Sequence, residues 1–235
     1  MEPFLFMREY AIIVAGGSGS RMQSKTPKQF LLLANKPIIM HTLEAFRSYS
    51  SSLSIILVLP KEALTQWKAL CEKYSFDLSV TVVKGGNTRS ESVQNGLNSI
   101  EESNSLVAIH DGVRPLVQPE IISASFRLAL IHGCAVASTR LKESLRLVDK
   151  DKSKSIDRSK YRSIQTPQTF KTTLIKSAYS NMEINSEFTD DASVVENSGL
   201  DITLFEGSYE NIKITTPEDL LFAEALLQKN KAMNQ

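Results

Sequence analysis

Short apolar runs alternate with amphipathic segments along most of the chain. Apolar runs of roughly four to eight residues predict strands buried on both faces, and apolar positions every three or four residues predict helices. We predict strands at 11–15, 54–59, 78–83, 106–110 and 135–139. We predict helices at 38–49, 61–74, 90–100, 120–132 and 217–229. This alternation is typical of an α/β protein whose mostly parallel sheet is covered by helices on both faces.

Three polar loops, at 16–28, 85–92 and 111–115, follow predicted strands. Because parallel strands end at one edge of the sheet, and ligands bind beyond that edge, we expect one shared site. In the first loop, Arg21 and Lys28 accompany glycines whose backbone N–H groups can approach phosphates. The loop matches neither the dinucleotide glycine pattern nor the P-loop ending. We therefore interpret it as a triphosphate site with its own cations rather than as a plain turn.

Asp111 ends a buried strand in the run HDGVRP. A carboxylate there can hold Mg²⁺ against phosphates or bind ribose hydroxyls, and it can also simply cap the next element. Arg114 can pair with Asp111 and orient it. His110 has no second metal ligand nearby in the sequence, so we expect a packing histidine.

Two further segments have both a structural and a functional interpretation. In 85–92, Ser92 could contact a base edge, while Thr88 or Ser90 could cap the helix that follows. The run TDDAS at 189–193 predicts a helix start with an acidic first turn. Lys213 lies in an alternating pattern at 211–215 that predicts a short strand.

Residues 142–162 interrupt the α/β pattern with charged and serine residues. Segments 143–148 and 155–165 could pair as a hairpin that reaches toward another subunit. A flexible surface insertion explains the same composition. With no linker or internal repeat, we expect one domain over 1–235.

The overall composition of the chain gives no indication of a nucleic-acid or membrane partner. The 235-residue chain has a formal net charge of +1, which does not favour nucleic acid. It has no apolar run of the roughly 20 residues that span a membrane. Two distant cysteines, Cys71 and Cys134, are typical of reduced thiols in a cytoplasmic protein.

Several motifs together resemble one family. Read in order, they are AGGSGSRM, TPKQF, VKGGNTRSESVQNGL, HDGVRP, QTPQTF, TDDASVVENSG and NIKITTPEDL. They resemble the 2-C-methyl-D-erythritol 4-phosphate cytidylyltransferases of non-mevalonate isoprenoid synthesis, from about residue 11 to 226. The resemblance implies a Rossmann-like sheet, a homodimer, and a protruding β-arm at about 141–165 that is exchanged between subunits.

The resemblance also implies roles for individual residues. Catalytic cations would be Arg21, Lys28 and Lys213. CTP would contact Ala15, Gly16, Gly17, Ser18, Gly19, Gly86, Asn87, Ser92, Asp111 and Gly112. The methylerythritol phosphate would contact Arg114, Thr166 and Thr189, together with Ser144 and Arg158 from the partner's arm. Asp111 would hold Mg²⁺ or another divalent cation.

A few positions differ from the family pattern. Asn87 stands where an aspartate is common, Glu143-Ser144 replaces Asp-Thr, and Gly112-Val113 replaces two alanines. A valine at that place also occurs in ribitol 5-phosphate cytidylyltransferases. The TDDAS run and the short glycine loop favour methylerythritol phosphate, and ribitol phosphate stays open as an alternative acceptor.

The implied reaction is attack of an acceptor phosphate oxygen on the α-phosphorus of CTP, with release of pyrophosphate. Because a phosphate monoester is largely ionised above pH ~6, no general base is required, and cations are the main catalytic need.

The sequence gives less support to two other classes of protein. A dinucleotide-binding oxidoreductase needs an acidic residue about 20 positions after the loop, but Glu44 lies within a predicted helix. For an inactive binding module, nothing in the charged loops indicates a loss of function.

Overall fold

A computed structural model describes residues 7–16, 22, 24, 26–182 and 188–233. Its strands are β1 (Arg8–Val14), β2 (Leu32–Leu33), β3 (Lys36–Pro37), β4 (Ser54–Leu59), β5 (Thr81–Lys84), β6 (Ser105–Asp111), β7 (Cys134–Arg140), β8 (Leu145–Asp149), β9 (Lys152–Ile156), β10 (Arg162–Lys171) and β11 (Leu204–Glu206). Its α-helices are α1 (Ile38–Tyr49), α2 (Leu64–Lys73), α3 (Arg89–Asn98), α4 (Pro119–His132), α5 (Thr172–Ser180), α6 (Asp191–Asn197) and α7 (Pro217–Met233).

Seven strands form one central sheet in the order β11-β7-β10-β6-β1-β4-β5. β1 runs parallel to β4 and β6, β4 parallel to β5, and β7 parallel to β11. Only β10 is antiparallel to its neighbours β6 and β7 within this sheet. The mostly parallel sheet is therefore confirmed, and its topology brings the ends of β1, β4, β5 and β6 to one edge.

The sheet separates two apolar layers, which explains why its strands are continuously apolar. On β1, Ala11 and Ile13 face the layer that contains α1 and α4. Ile12 and Val14 face the opposite layer, which contains α3, α5 and α6. Helices on both faces are confirmed.

Most predicted elements are present with small shifts. α1 and β4 have the predicted bounds, while β5 begins three residues after position 78. The predicted helix at 61–74 divides into a 3₁₀ turn at Lys61–Ala63 followed by α2. The strand expected at 211–215 is wrong. That segment is irregular because Asn211 N and Ile212 N donate locally, to Ser208 O and Glu210 O.

β8 and β9 pair as an antiparallel hairpin, with Leu145 opposite Ile156 and Asp149 opposite Lys152. The second strand of this hairpin is five residues long, which corrects the predicted 155–165. Residues from Arg162 onward instead continue the central sheet as β10. The role of the hairpin as an arm between subunits stays a prediction.

Over the described ranges, no helix is both long and apolar enough to cross a membrane.

Candidate active site

A cleft of about 360 Å³ opens where the predicted loops meet. Ala15 and Gly16 enter it after β1, the turn 86–92 after β5, and Asp111 from the end of β6. It is lined by Val14, Ala15, Gly16, Lys28, Gln29, Gly86, Asn87, Thr88, Arg89, Ser92, Asp111, Val113 and Lys213. The loops that follow β1, β5 and β6 therefore meet at one cleft, where the sheet topology predicts a site.

The turn before α3 is compact and requires its glycines. A Cβ on Gly85 would lie 2.9 Å from the Oγ of Ser92, and one on Gly86 would lie 2.3 Å from the Cβ of Glu91. Ser92 is buried. Its Oγ accepts from Gly86 N at 3.1 Å and donates to Thr88 O at 2.8 Å. The Ser92 hydroxyl thus shapes the turn at the cleft wall.

Of the two predicted caps, Thr88 is the N-cap of α3, and its Oγ1 accepts from Glu91 N at 3.1 Å. Asn87 is exposed at the cleft. Its backbone N–H donates to the Glu91 carboxylate at 2.6 Å. The side-chain amide of Asn87 takes no part in that hydrogen bond.

Three cations surround the Asp111 carboxylate. Lys213 Nζ lies 2.9 Å from Oδ2, Arg114 Nε 3.4 Å from Oδ2, and Arg89 Nε 3.7 Å from Oδ1. Burial raises the pKa of this carboxyl. The charges of Lys213, Arg89 and Arg114 outweigh burial and hold that pKa well below its ordinary value. Asp111 is therefore ionised at neutral pH and anchors the cationic groups of the cleft.

Beneath Asp111, a chain of hydrogen bonds runs through two buried side chains. Asp111 N donates to Thr166 Oγ1 at 3.1 Å, and Thr166 Oγ1 and His110 Nδ1 are 3.1 Å apart. His110 Nε2 lies 3.1 Å from Arg114 O. Because that carbonyl only accepts, we assign the proton to Nε2, so that Nδ1 accepts from the threonine. Burial lowers the pKa of His110 to about 4, so it is a neutral packing residue, as predicted.

Lys213 is held at the cleft by the irregular segment that follows β11. Ile214 N donates to Val113 O at 2.9 Å, and Arg114 Nη1 donates to Asn211 O at 2.8 Å. The Asn211 amide also donates to Thr166 O at 2.8 Å. These bonds bring Lys213 into the cleft that Lys28 also lines, although 185 positions separate the two residues along the chain.

A second cleft of about 260 Å³ adjoins the first. It is lined by Arg89, Asp111, Arg114, Ile164, Gln165, Thr166, Gln168, Thr189, Asp190 and Lys213. Arg89, Asp111 and Lys213 line both clefts. The two clefts therefore have the cationic side chains of Arg89 and Lys213 at their junction.

Other predicted site residues lie elsewhere. Ser144 and Arg158 are exposed at the base of the hairpin and line neither cleft. Arg158 Nη1 donates to Lys142 O. Gly112 is buried, and a Cβ there would lie 2.7 Å from Ile39 Cδ1, so close packing explains this glycine. Gly17, Ser18, Gly19 and Arg21 fall outside the described residues.

Several residues that line the clefts have no ligand-binding role predicted from the sequence. They are Gln29, Arg89, Gln165, Gln168 and Asp190. Arg89 had a detectable signal, because a positive charge in the first turn of a helix opposes the helix dipole and suggests another purpose. Gln165 and Gln168 had no such signal, since polar residues near Pro167 are typical of a surface loop.

A mostly parallel α/β sheet with glycine turns and two adjoining cationic clefts at its strand ends fits the class of nucleotidyltransferases. The family model described as "IspD: 2-C-methyl-D-erythritol 4-phosphate cytidylyltransferase" matches residues 10–229. A 2-C-methyl-D-erythritol 4-phosphate cytidylyltransferase of Bacteroides thetaiotaomicron is 48% identical over 221 residues, covering 94% of this chain and 100% of that protein. The chain belongs to the IspD family.

Solved structures agree with this assignment. A 4-diphosphocytidyl-2C-methyl-D-erythritol synthase from Anaerococcus prevotii superposes with a TM-score of 0.81 at 31% identity, covering 94% of this chain and 96% of that one. A 2-C-methyl-D-erythritol 4-phosphate cytidylyltransferase from Thermus thermophilus gives a TM-score of 0.78 at 28% identity, covering 94% and 99%. The resemblance in the motifs and the predicted fold class are both confirmed.

Proposed function

We propose that this chain transfers CMP from CTP to 2-C-methyl-D-erythritol 4-phosphate, giving 4-diphosphocytidyl-2-C-methyl-D-erythritol and pyrophosphate. Family membership supports this activity. The observation that carries it within the site is that Lys28 and Lys213 line one cleft, while Lys213 also lines the adjoining cleft. Two anionic substrates can therefore be neutralised where they must meet.

The first cleft is assigned to CTP and the second to the acceptor. In the first, Ala15 and Gly16 are assigned to the phosphates, and Gly86, Asn87 and Ser92 to the base. In the second, Arg114, Thr166 and Thr189 face the acceptor. Arg21, Gly17, Ser18 and Gly19 are assigned to the triphosphate from the motif alone.

In the reaction, an acceptor phosphate oxygen bonds to the α-phosphorus of CTP as the bond to the pyrophosphate oxygen breaks. The electron pair of the broken bond leaves with pyrophosphate, and no proton has to be removed from the attacking phosphate. Lys28, Lys213 and Arg21 stabilise the added negative charge at phosphorus. His110 does not serve as a base, since it is neutral, buried and hydrogen-bonded on both nitrogens.

Mg²⁺ or another divalent cation fits the donor chemistry of the first cleft. Mg²⁺ commonly binds one or two carboxylates together with substrate phosphates, and Asp111 supplies one ionised carboxylate at the cleft. Among the described residues, no group of three or more His, Cys, Asp or Glu could hold a metal by itself. The triphosphate would thus supply most of the oxygen ligands, and the ion would neutralise it.

A homodimer would complete the acceptor site. Ser144 and Arg158 line neither cleft of their own chain, so they would reach an acceptor only in a second copy. Leu147 and Val148 on the hairpin are 62% and 69% exposed, which is apolar surface that a partner would cover. The hairpin would thus act as an arm of a single domain spanning 1–235, at about 141–161.

CTP and a small polyol phosphate are the ligands, with no nucleic acid or membrane partner, in keeping with a net charge of +1. The free thiols of Cys71 and Cys134 support a cytoplasmic location.

A pyrophosphate-release assay tests the activity. The enzyme with CTP and methylerythritol phosphate should release pyrophosphate, and either substrate alone should not. Val113 at the first cleft is the reason to include ribitol 5-phosphate as a second acceptor. Faster release with ribitol phosphate would reassign the acceptor, and no release with either would reject the function.

A further inference from the structure

Arg89 lies at the junction of the two clefts, and 29% of its side-chain surface is exposed. Its Nε is 3.7 Å from Asp111 Oδ1, which is too long for a hydrogen bond. The Nε edge of this guanidinium therefore faces Asp111 and the junction without being bonded to the carboxylate.

The other end of the guanidinium is fixed by a buried carboxylate. Arg89 Nη1 and Nη2 donate to the two oxygens of Asp191 at 3.0 and 2.7 Å. Asp191 has no exposed surface, and Tyr179 donates its hydroxyl to Asp191 Oδ1 at 2.6 Å. Because an arginine has five N–H donors, these two bonds leave donors for a further anion.

The pair between Arg89 and Asp191 is not explained by helix stability. Arg89 begins α3, where the helix dipole disfavours a positive charge. Burying an ion pair seldom adds net stability either. Burial lowers the pKa of Arg89, but the Asp191 charge outweighs burial and raises it, so the guanidinium stays charged.

The same contact joins the walls of the two clefts. Arg89 follows the turn assigned to CTP, whereas Asp191 begins α6, just after Thr189 and Asp190 of the second cleft. The start of α6 is also fixed to β10, since Gln168 donates to Asp190 at 2.8 Å and accepts from Ala192 N at 2.8 Å.

We propose that Arg89 binds the acceptor's phosphate at the junction of the clefts, and that Asp191 and Tyr179 are positioning residues that hold its guanidinium there. This inference rests on the proposed function. It adds a second cation beside Lys213 at the point where the attacking phosphate must lie.

Three variants of the full-length enzyme test the proposal by pyrophosphate release and by CTP binding in calorimetry. Arg89→Lys should lower kcat/KM for methylerythritol phosphate by roughly 100-fold, because an ammonium group cannot bind both Asp191 and a phosphate through a planar fork. Its Kd for CTP should stay within about threefold of the wild type, on the scale of one weak contact. Asp191→Asn should also lower kcat/KM for methylerythritol phosphate. Tyr179→Phe should lower it by roughly two- to tenfold, as expected for one hydrogen bond.

Glu206→Gln is the matched control, because it removes the carboxylate paired with Arg162 at 2.5 Å, away from both clefts. It should leave both kcat/KM for methylerythritol phosphate and Kd for CTP unchanged. If Asp191→Asn does not fold, Arg89→Lys and Tyr179→Phe decide the question.

Normal acceptor kinetics in Arg89→Lys would overturn the proposal. So would a loss of CTP affinity as large as the loss in kcat/KM, since Arg89 would then serve the nucleotide. A wild-type enzyme that releases no pyrophosphate from these substrates would reject the proposed function itself, which separates the two failures.

Discussion

Lys28 follows Pro27 at the start of a short 3₁₀ turn, and this backbone brings it to the first cleft. Lys28→Ala should lower kcat at least 100-fold with the fold intact, because removing one preorganised charge from a transition state costs roughly 2.7–4 kcal/mol. Pyrophosphate release measures the loss, and circular dichroism checks the fold. Lys61 offers a matched control, since it follows Pro60 in the same kind of turn but is exposed and lines neither cleft. Near-normal turnover in Lys28→Ala would contradict its catalytic role.

His110 predicts a pH dependence of stability. Its pKa is about 4 when folded, below the value of about 6.5 expected in the unfolded chain. The unfolded state therefore binds a proton first, so stability present above pH ~6.5 is lost as pH falls toward 4. By pH 5 this loss is roughly 2 kcal/mol, at about 1.4 kcal/mol per pH unit.

Urea unfolding at pH 7 and pH 5 measures this difference. His110→Gln should flatten it, even though the substitution lowers stability at pH 7. His132→Gln should keep the wild-type difference, because His132 is exposed at the end of α4. An unchanged pH difference in His110→Gln would mean that another group titrates.

At the scale of elements, apolar periodicity predicts the strands and helices that bury continuous hydrophobic surface, such as β4 and α1. It misses β10, because the buried side chains of that strand include Gln165, Thr166 and Gln168. They are satisfied by partners far along the chain, such as Ser208, His110 and Asp190, which no local pattern can reveal. The cleft loops were predictable for the opposite reason, since glycines and charges at strand ends are a local signal.

The hairpin can be removed without cutting the sheet. Arg140 of β7 and Arg162 of β10 are direct partners, so a two-residue Asn-Gly turn can replace residues 141–161. This deletion should abolish measurable acceptor binding while CTP affinity falls by no more than roughly tenfold, because the first cleft has no hairpin residue among its lining. Calorimetry with each substrate distinguishes the two effects.

Lys150→Gly serves as the control for that deletion. Lys150 lies at the hairpin tip with a φ of 51°, a conformation that glycine adopts without strain, so the variant should keep both affinities. Wild-type acceptor binding in the deletion would remove the hairpin from the site.

At the scale of the whole molecule, the dimer proposal makes a prediction about mixed subunits. If the arm acts on its partner, each active site contains Lys28 from one subunit and Arg158 from the other. Lys28→Ala and Arg158→Ala therefore impair the site from different subunits. Co-expressed with different tags, the two inactive variants should form mixed dimers in which one of the two sites carries neither change. With random pairing, roughly a quarter of the sites regain activity.

Purification through both tags in sequence isolates the mixed dimer for the pyrophosphate assay. Dimers of each variant alone provide the baseline. No recovery in mixed dimers would place Arg158 in its own chain's site or outside any site.

Lys213 reaches its cleft on an irregular segment that begins after β11, the last strand of the central sheet to be synthesised. A ribosome therefore delivers every strand of that sheet before it delivers this lysine. A chain whose seven strands have already paired therefore still lacks the ammonium group that both clefts share until this segment packs against Asp111. Such a partly folded chain would leave CTP uncleaved.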